Sequence, residues 1–234
     1  MKACKKYVLT FTSKRFKSWQ HFVFLRDMKN DTTALSGQAE IGVEALIQYF
    51  TAYFPLNEQE KTEVKRLFKK RTIKRRGFLL QEGDVCKYNS FVVRGCFKMY
   101  APDAAGKEHN LEFTPENGWS CDFQSFYSEQ PSRLYIEALE PSTVFQIAHD
   151  DLLYLFTNYH KFDRNFRIII ERKYIDFQNR ILHSISSTAE ERYLSFVRQN
   201  PELVNRIPNT QIASYLGITP EFLSKIRRKL LSNT

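Results

Sequence analysis

The sequence lacks the features that mark membrane and secreted proteins. It contains no run of about 18 apolar residues, the length that a membrane-spanning helix requires. Its N-terminal segment begins with lysines but has neither a continuous apolar stretch nor a small-residue cleavage site, which argues against a secretory signal. We therefore expect a cytoplasmic protein that does not associate with a membrane.

Cysteines are few and do not form a recognisable metal-binding pattern. The four, Cys4, Cys86, Cys96 and Cys121, include no C-x-x-C pair, and no histidine lies close enough in sequence to complete a zinc pattern. An iron–sulfur cluster needs clustered thiolates, whereas these cysteines are spread singly. We expect buried, reduced thiols, with no metal and no cofactor. Haem ligation by one of the five histidines is the alternative, although a lone histidine is usually structural or exposed.

Catalytic motifs are also absent. There is no Ser/His/Asp constellation with recognisable context and no glycine-rich phosphate-binding loop. A metal-dependent jelly-roll enzyme would need several converging ligands, and His109 has no histidine partner in the strand-rich part of the sequence. We therefore expect no catalytic residues, and an enzyme is the weakest of the functional hypotheses.

Positive charge and aromatic side chains are abundant. The formal net charge is +9, and the chain has 20 Phe and 12 Tyr. A basic surplus attracts polyanions through phosphate contacts, although a basic surface without such a partner is the alternative. Residues 1–40 mix basic and aromatic residues without a period. We expect a poorly ordered basic extension there, arising from a mis-called start codon; a basic arm that touches DNA is the alternative.

Residues 41–160 are predicted to form a jelly-roll domain. Asn57 followed by Glu60 predicts a helix start. Between Thr72 and Ile147, short segments rich in Val, Ile, Phe and Tyr alternate with turn signals such as "EGD" and "PDAAGKE". Short strands at this spacing favour a double-sheet jelly roll over a parallel sheet.

Residues 161–186 are predicted to form one long helix with an apolar stripe. Its apolar residues recur at intervals of four, three and four, a spacing that suits a seam between two helices. We expect a homodimer interface, with a single long core helix as the alternative. The next helix is predicted to begin at either of two capping boxes, Ser187 with Glu190 or Thr188 with Glu191. The predicted interface residues are Ile170, Tyr174, Phe177 and Ile181.

Residues 187–234 contain the pattern of a helix-turn-helix in "NTQIASYLGITPEFLSKIRRK". Ala213 is small where two helices would cross, and Gly217 can adopt the positive φ of a tight turn. Thr219 is a good N-cap, and Pro220 suits the first helical position. The predicted shared core of the two helices comprises Ile212, Leu216, Ile218, Phe222, Leu223 and Ile226.

The second helix of this pattern exposes polar and basic residues. Such a helix can enter the major groove of DNA, with its N-terminal residues at base edges and its basic residues toward phosphates. An ordinary helical hairpin with a solvated basic face is the alternative. The candidate DNA-binding residues are Thr219, Pro220, Glu221, Ser224, Lys225, Arg227 and Arg228.

The order of jelly roll, long helix and helix-turn-helix over residues 43–234 resembles the cyclic-AMP receptor protein/Fnr (Crp/Fnr) family of bacterial transcription regulators. The phrases "LLQEGDVCKYNSFVVRGCFKMY" and "YIEALEPSTVFQI" are similar to the sensor domain of that family. The resemblance implies an α+β fold with an N-terminal cyclic-nucleotide-binding-like domain, a dimerisation helix and a C-terminal winged-helix-like domain. It also implies three partners: double-stranded DNA, a second copy of the chain and RNA polymerase. Base reading would fall on Pro220, Glu221 and Lys225, with Ser224 close by.

The region that would bind the effector departs from the family pattern. Family members that bind cyclic nucleotides carry a Gly-Glu pair and then an Arg-Ser pair, which hold the cyclic phosphate. Here Cys121 and Asp122 replace the first pair, and Ser132 and Arg133 stand in reversed order. Cyclic AMP is therefore not the expected effector, which stays unidentified. Asp122, Ser132 and Arg133 remain ligand candidates, with a plain surface arginine as the alternative for Arg133.

A binding module of another kind is the competing hypothesis. In that case the jelly roll binds a small molecule, and the C-terminal helices contact a protein instead of DNA. This hypothesis predicts ligand binding without a salt-sensitive affinity for DNA.

Overall fold

The computed structural model describes residues 42–232, so the expectation for residues 1–40 lies outside the described part of the chain. Two helices, α1 (Glu44–Thr51) and α2 (Glu58–Leu67), precede eight strands. The strands are β1 (Lys69–Ile73), β2 (Phe78–Leu80), β3 (Tyr88–Arg94), β4 (Phe97–Pro102), β5 (Glu108–Thr114), β6 (Trp119–Ser120), β7 (Tyr135–Ala138) and β8 (Ser142–Ala148).

A short helix, α3 (Phe123–Ser128), lies between β6 and β7, and five helices follow β8. Among the described residues, no helix has the length and apolar character needed to cross a bilayer. The helices after β8 are α4 (His149–Asn158), α5 (His160–Ser186), α6 (Ala189–Gln199), α7 (Asn209–Leu216) and α8 (Pro220–Ser232).

The strands form two antiparallel four-stranded sheets, which confirms the predicted jelly roll. Their orders are β1-β8-β3-β6 and β2-β7-β4-β5. The neighbours in each sheet are mostly distant in sequence, as expected when a chain winds two sheets against each other. Both sheets belong to one compact unit with the helices that follow.

Local capping signals set two helix starts as predicted. The Asn57 side chain accepts a hydrogen bond from the Glu60 N–H at 2.8 Å, and the Glu60 carboxylate accepts one from the Asn57 N–H at 2.7 Å. Of the two predicted starts for α6, the structure has the one at Thr188, whose backbone N–H donates to Glu191 at 2.7 Å. Each reciprocal pair satisfies N–H groups that have no partner within the helix.

The main core is aromatic and centres on Trp119, which is 2% exposed. The Trp119 ring lies 4.8 Å from that of Phe166 in α5, 5.2 Å from Phe91 in β3 and 5.9 Å from Phe50 in α1, measured between centroids. Aromatic rings of this size bury large apolar areas. They therefore anchor the first half of the long helix α5 on the jelly roll.

A second core joins the C-terminal helices to the sheet β2-β7-β4-β5. Cys96, in the link between β3 and β4, is buried within this second core, and desolvation raises the pKa of its thiol to about 12. The predicted position of Phe222 in this core is wrong, because Phe222 is 48% exposed. Successive helical residues point about 100° apart, and the neighbouring Leu223 takes the inward position. The buried residues from the helices α6 to α8 and from the segment between α6 and α7 are Tyr193, Phe196, Leu203, Ile207, Ile212, Ala213, Leu216, Leu223 and Ile226.

An ion-pair cluster fixes the segment between α6 and α7 to the loops of the sheet. The Arg206 guanidinium donates two hydrogen bonds of 2.9 Å to the Glu116 carboxylate and a further one to Glu140. Burial acts to raise the pKa of Glu116, but hydrogen bonds from Arg206 and from the Gly95 N–H outweigh it and hold the pKa below its ordinary value. The ionised form of Glu116 is therefore stabilised by folding.

Replacing Glu116 with Gln should lower the free energy of unfolding at pH 7 by about 1–2 kcal/mol, after allowance for solvent screening of this partly exposed pair. Since the folded pKa lies below the ordinary value of 4.5, this stabilisation is complete above that pH and is lost as the pH falls through the folded pKa. Urea unfolding at pH 7 and at pH 3 measures the difference. Glu58→Gln is the control, because the Glu58 side chain is 88% exposed beside Lys61. Equal effects of the two variants at pH 7 would contradict the expectation.

Candidate DNA-binding helix and ligand cavity

The turn between α7 and α8 depends on Gly217. Its backbone is left-handed, with φ 67° and ψ 36°, a conformation that glycine adopts without steric cost. The Gly217 N–H bonds the Ser214 carbonyl at 3.1 Å, and the Ile218 N–H bonds the Ala213 carbonyl at 3.0 Å. These bonds satisfy carbonyl groups at the end of α7 and direct the chain into the next helix.

The start of α8 is capped by Thr219. Its hydroxyl accepts a hydrogen bond from the Phe222 N–H at 3.2 Å, and Pro220 occupies the first helical position. The pKa of Glu221 is lowered by a hydrogen bond from its own backbone N–H and by one from the Thr219 hydroxyl. Glu221 is therefore ionised at neutral pH and exposed at the N-terminal end of the helix.

Four of the predicted DNA-binding residues form one exposed row on α8. Glu221, Ser224, Lys225 and Arg228 are all exposed, and their spacing of three, one and three places them on the same helical face. Within residues 42–232, neither Lys225 nor Arg228 has an ion-pair partner. Leu223 and Ile226 of α8 face the core on the other side, so this row is open to a partner.

Arg227 has a different environment from this row. It is partly buried, and its guanidinium donates to the Asn209 side chain at the start of α7. The nearby Lys229 pairs with Glu190 of α6 at 2.7 Å. Both cations therefore hold α8 against neighbouring helices, a role that the sequence did not indicate.

Helix α7 is docked on strand β5 through Asn110. The Asn110 side-chain amide donates to the Gln211 carbonyl at 3.0 Å and to the Gln211 side-chain oxygen at 2.8 Å. The Ser214 hydroxyl accepts from the Asn110 N–H at 3.1 Å and donates to the Glu108 carbonyl at 2.7 Å. Because these residues are about 100 positions apart, no local pattern predicts the contact.

Arg180 joins the same strand and helix to α5. Its guanidinium donates to the carbonyl of Leu111, to that of Asn110 at 3.0 Å and to that of Tyr215 at 3.2 Å. The guanidinium carbon also lies 4.0 Å from the centroid of the Tyr215 ring, a cation–π contact. The long helix, the jelly roll and the helix-turn-helix therefore meet at one side chain.

The three predicted ligand residues lie together around a small cavity of about 100 Å³. The Asp122 carboxylate accepts from the N–H groups of Gln124 at 3.1 Å and Ser125 at 3.4 Å, and thus caps α3. Its other oxygen accepts from the Ser132 hydroxyl at 2.7 Å. Asp122 and Ser132 are both buried, whereas Arg133 is exposed.

A larger cavity of about 450 Å³ opens between the two sheets. That volume is within the range of small-molecule sites. The three ligand candidates do not line it, so the sequence did not indicate its position. Its lining includes Arg71 of β1, Leu79 of β2, Val85 and Cys86 of the β2–β3 link, Ser90 of β3 and Ile136 of β7.

The apolar stripe of α5 is exposed from Ile170 onward. Ile170, Tyr174, Phe177 and Ile181 are 41%, 60%, 56% and 42% exposed. Apolar surface of this kind, continuous along several turns of one helix, is unusual in a monomer and is typical of an interface.

Two cysteines that are distant in sequence lie side by side. The sulfur atoms of Cys86 and Cys121 are 3.9 Å apart, and both side chains are buried. Cys86, Cys96 and Cys121 are all free thiols, as expected from the sequence. Their spacing of 35 residues gave no sign that Cys86 and Cys121 form a pair.

Residues 70–159 match the family model described as the cyclic nucleotide-binding domain. The whole arrangement is similar to a solved structure assigned to the Crp/Fnr family of transcriptional regulators, from Eubacterium rectale, with 16% identity, a TM-score of 0.61 and coverage of 80% of this chain and 88% of that chain. The chain has the Crp/Fnr fold.

Other solved structures are similar over the same parts of the fold. FixK2 from Bradyrhizobium japonicum has 17% identity and a TM-score of 0.64, covering 71% of this chain and 86% of its own. A mutant of CooA from Carboxydothermus hydrogenoformans has 14% identity and a TM-score of 0.63, covering 83% and 86%. No curated protein matches the sequence. At these identities the likeness to solved structures concerns the fold.

A cyclic nucleotide-binding domain with the Crp/Fnr fold implies a cyclic phosphate ligand. The predicted ligand residues Asp122, Ser132 and Arg133 do not fit such a ligand. The Asp122 carboxylate already accepts from the first N–H groups of α3, and its charge would repel a phosphate placed there. The Ser132 hydroxyl is turned toward the same carboxylate. A cavity of about 100 Å³ is also well below the roughly 300–1,000 Å³ of small-molecule sites.

We expect no saturable binding of cyclic AMP in an isothermal titration at physiological salt, because the anion would have to displace a buried carboxylate from its hydrogen bonds. Circular dichroism of the same sample shows that the protein is folded. Saturable binding at micromolar cyclic AMP would contradict this expectation.

Proposed function

We propose that the protein is a homodimeric, sequence-specific DNA-binding transcription regulator of Crp/Fnr type. Helix α8 is its recognition helix, the jelly roll is the sensor of an unidentified effector, and RNA polymerase is a further partner. The observation that carries the proposal is the row of Glu221, Ser224, Lys225 and Arg228 on a capped helix that follows a left-handed glycine turn.

The chemistry of this row suits the edges of base pairs in the major groove. A lysine ammonium donates to the O6 and N7 acceptors of guanine, and a glutamate carboxylate accepts from the N4 amino group of cytosine. Lys225 and Glu221 are therefore assigned to bases, whereas Arg228, one turn further on, is assigned to a phosphate. The net charge of +9 adds long-range attraction to DNA.

The exposed stripe of α5 supports a homodimer. A second copy of the same helix would cover Ile170, Tyr174, Phe177 and Ile181 with identical apolar residues, as a twofold interface requires. Such a dimer would present two recognition helices to half-sites about one turn of DNA apart, roughly 34 Å.

The cavity between the sheets favours a second candidate function. A space of about 450 Å³ is sufficient for a small molecule, and a binding module needs no contact with DNA. In that case the C-terminal helices would mediate contacts with a protein. The two functions differ in their affinity for DNA and in its dependence on salt.

Selection of bound sequences from a random double-stranded DNA pool separates the two functions. The purified full-length chain is used without added ligand. Enrichment of an inverted repeat is expected, because a twofold dimer reads two equal half-sites. No enrichment, with or without a bacterial small-molecule extract, would overturn the DNA-binding function and leave the binding module.

Lys225→Ala should relax the preference for one base position in each half-site. The loss of a good base contact weakens binding to the preferred sequence by about 1–3 kcal/mol, that is by roughly 5- to 150-fold, while other sequences change little. Arg228→Ala is the matched control and should weaken all sequences together and reduce the slope of affinity against salt. Fluorescence anisotropy with a panel of operator variants distinguishes the two patterns. An unchanged base preference in Lys225→Ala would rule out its assigned role.

Phe177→Glu should break the dimer, because two buried carboxylates would face each other across the seam without partners. Light scattering of the purified variant is expected to give the mass of one chain, 27.7 kDa. Asn179→Glu introduces the same charge about 200° around the helix and should leave the dimer intact. A dimeric Phe177→Glu variant would refute the seam.

A further inference from the structure

Cys86 and Cys121 form a buried thiol pair that the proposed function does not use. Their sulfur atoms are 3.9 Å apart, and each residue is about 5% exposed or less. The Cys86 sulfur also lies 3.6 Å from the Tyr88 carbonyl, to which its S–H can donate. A chain of weak hydrogen bonds from Cys121 through Cys86 to Tyr88 therefore aligns the two sulfur atoms.

The two thiols differ in access and in acidity. Cys86 lines the cavity of about 450 Å³ between the sheets, whereas Cys121 does not. The hydrogen bond from Cys121 is the main cause that lowers the pKa of Cys86, and it outweighs the opposing effect of burial. Burial raises the pKa of the Cys121 thiol. Thiolate character and access, which together decide reactivity, therefore both fall on Cys86.

The backbone around the pair is held firmly in place. The Cys86 N–H donates to the Ser125 hydroxyl at 2.9 Å, which joins the β2–β3 link to α3. Cys121 directly precedes Asp122, the N-cap of that helix. A disulfide bond of about 2.05 Å needs the two sulfur atoms, now 3.9 Å apart, to approach by roughly 2 Å.

We propose that Cys86 and Cys121 form a reversible disulfide when a peroxide enters the cavity, with Cys86 as the attacking thiol and Cys121 as the resolving thiol. This modification site is independent of DNA binding. Cys96 takes no part, since it is buried in the other core and its Sγ lies 3.7 Å from the carbonyl of Phe97.

The reaction proceeds in two balanced steps. The Cys86 thiolate attacks one peroxide oxygen, the O–O bond breaks, and the leaving hydroxide takes up the proton lost by Cys86 to form water. Cys86 is then a sulfenic acid. The Cys121 sulfur attacks the Cys86 sulfur, the S–O bond breaks, and hydroxide leaves as water with the Cys121 proton. Two thiols are oxidised, one hydrogen peroxide is reduced, and two waters form.

The test uses the full-length chain with Cys4 replaced by Ser, so that the thiol outside the described residues cannot react. The protein receives an equimolar dose of hydrogen peroxide, is alkylated with N-ethylmaleimide and is digested with trypsin. Cleavage after Arg76, Lys87, Lys107 and Arg133 places Cys86 in peptide 77–87 and Cys121 in peptide 108–133. Mass spectrometry is expected to find these two peptides linked, two hydrogens lighter than their sum, and separated again by dithiothreitol.

Three variants in the same background assign the roles. Cys121→Ser should lose the link and accumulate a sulfenic acid at Cys86 that dimedone traps. Cys86→Ser should lose the link and leave Cys121 unlabelled by dimedone. Cys96→Ser should form the link as before. Circular dichroism confirms that each variant is folded.

The proposal would be overturned if Cys86 and Cys121 both remained alkylated after peroxide treatment of the folded protein. It would also be overturned if Cys96 entered disulfides as readily as they do. Trapping of Cys121 by dimedone in Cys86→Ser would reverse the assigned roles. Since every readout is a peptide mass, these outcomes do not depend on whether the protein binds DNA.

Discussion

The guanidinium of Arg180 is the contact on which the arrangement of the three parts of the chain depends. It lies on the long helix α5, donates to carbonyl groups of β5 and α7 and stacks on the Tyr215 ring. A guanidinium has five donors and cannot lose its charge, so removal of any one acceptor leaves a donor unpaired in a partly buried site. The helix-turn-helix therefore has a defined position on the jelly roll, although the two are far apart in sequence.

Because of this placement, the two C-terminal helices have one face packed against the jelly roll and one face exposed to a partner. The polar residues Gln211 and Ser214 of α7 are hydrogen-bonded to strand β5. Contacts with a partner molecule therefore fall to α8. The division follows from helix geometry, because Leu223 and Ile226 fill the core and the row beginning at Glu221 cannot also face inward. A recognition function for α8 thus needs no rearrangement within the helical pair.

The parts of this structure that sequence analysis predicted are those that local chemistry determines. Asn57 with Glu60, Thr188 with Glu191, and Gly217 before Thr219 each set a helix end through partners at most a few residues away. Contacts between distant residues were not predictable in this way. The approach of Cys86 to Cys121 and of Asn110 to Gln211 depends on how the two sheets wind together, which no spacing in the sequence records.

The predicted ligand residues illustrate a further limit of prediction from motif position. The structure brings together the residues that correspond in motif position to the phosphate-binding pairs, namely Asp122, Ser132 and Arg133. Motif position does not reveal what each side chain already binds, and here the carboxylate bonds the helix start and the hydroxyl. These positions therefore carry a different chemistry from the phosphate-binding pairs that they match, and the larger cavity lies beside Cys86.

A buried ion pair at Lys98 connects the larger cavity with helix α7. Lys98 of β4 is 3% exposed and pairs with Glu137 of β7 at 3.1 Å and with Glu108 of β5 at 2.5 Å. Glu108 in turn accepts from the Gln211 side chain at 3.3 Å. A displacement of β7, whose Ile136 lines the cavity, that separated Glu137 from Lys98 would leave a buried ammonium with one carboxylate, which costs free energy. Strands β7, β4 and β5 are therefore constrained to move together, and α7 is bonded to the last of them.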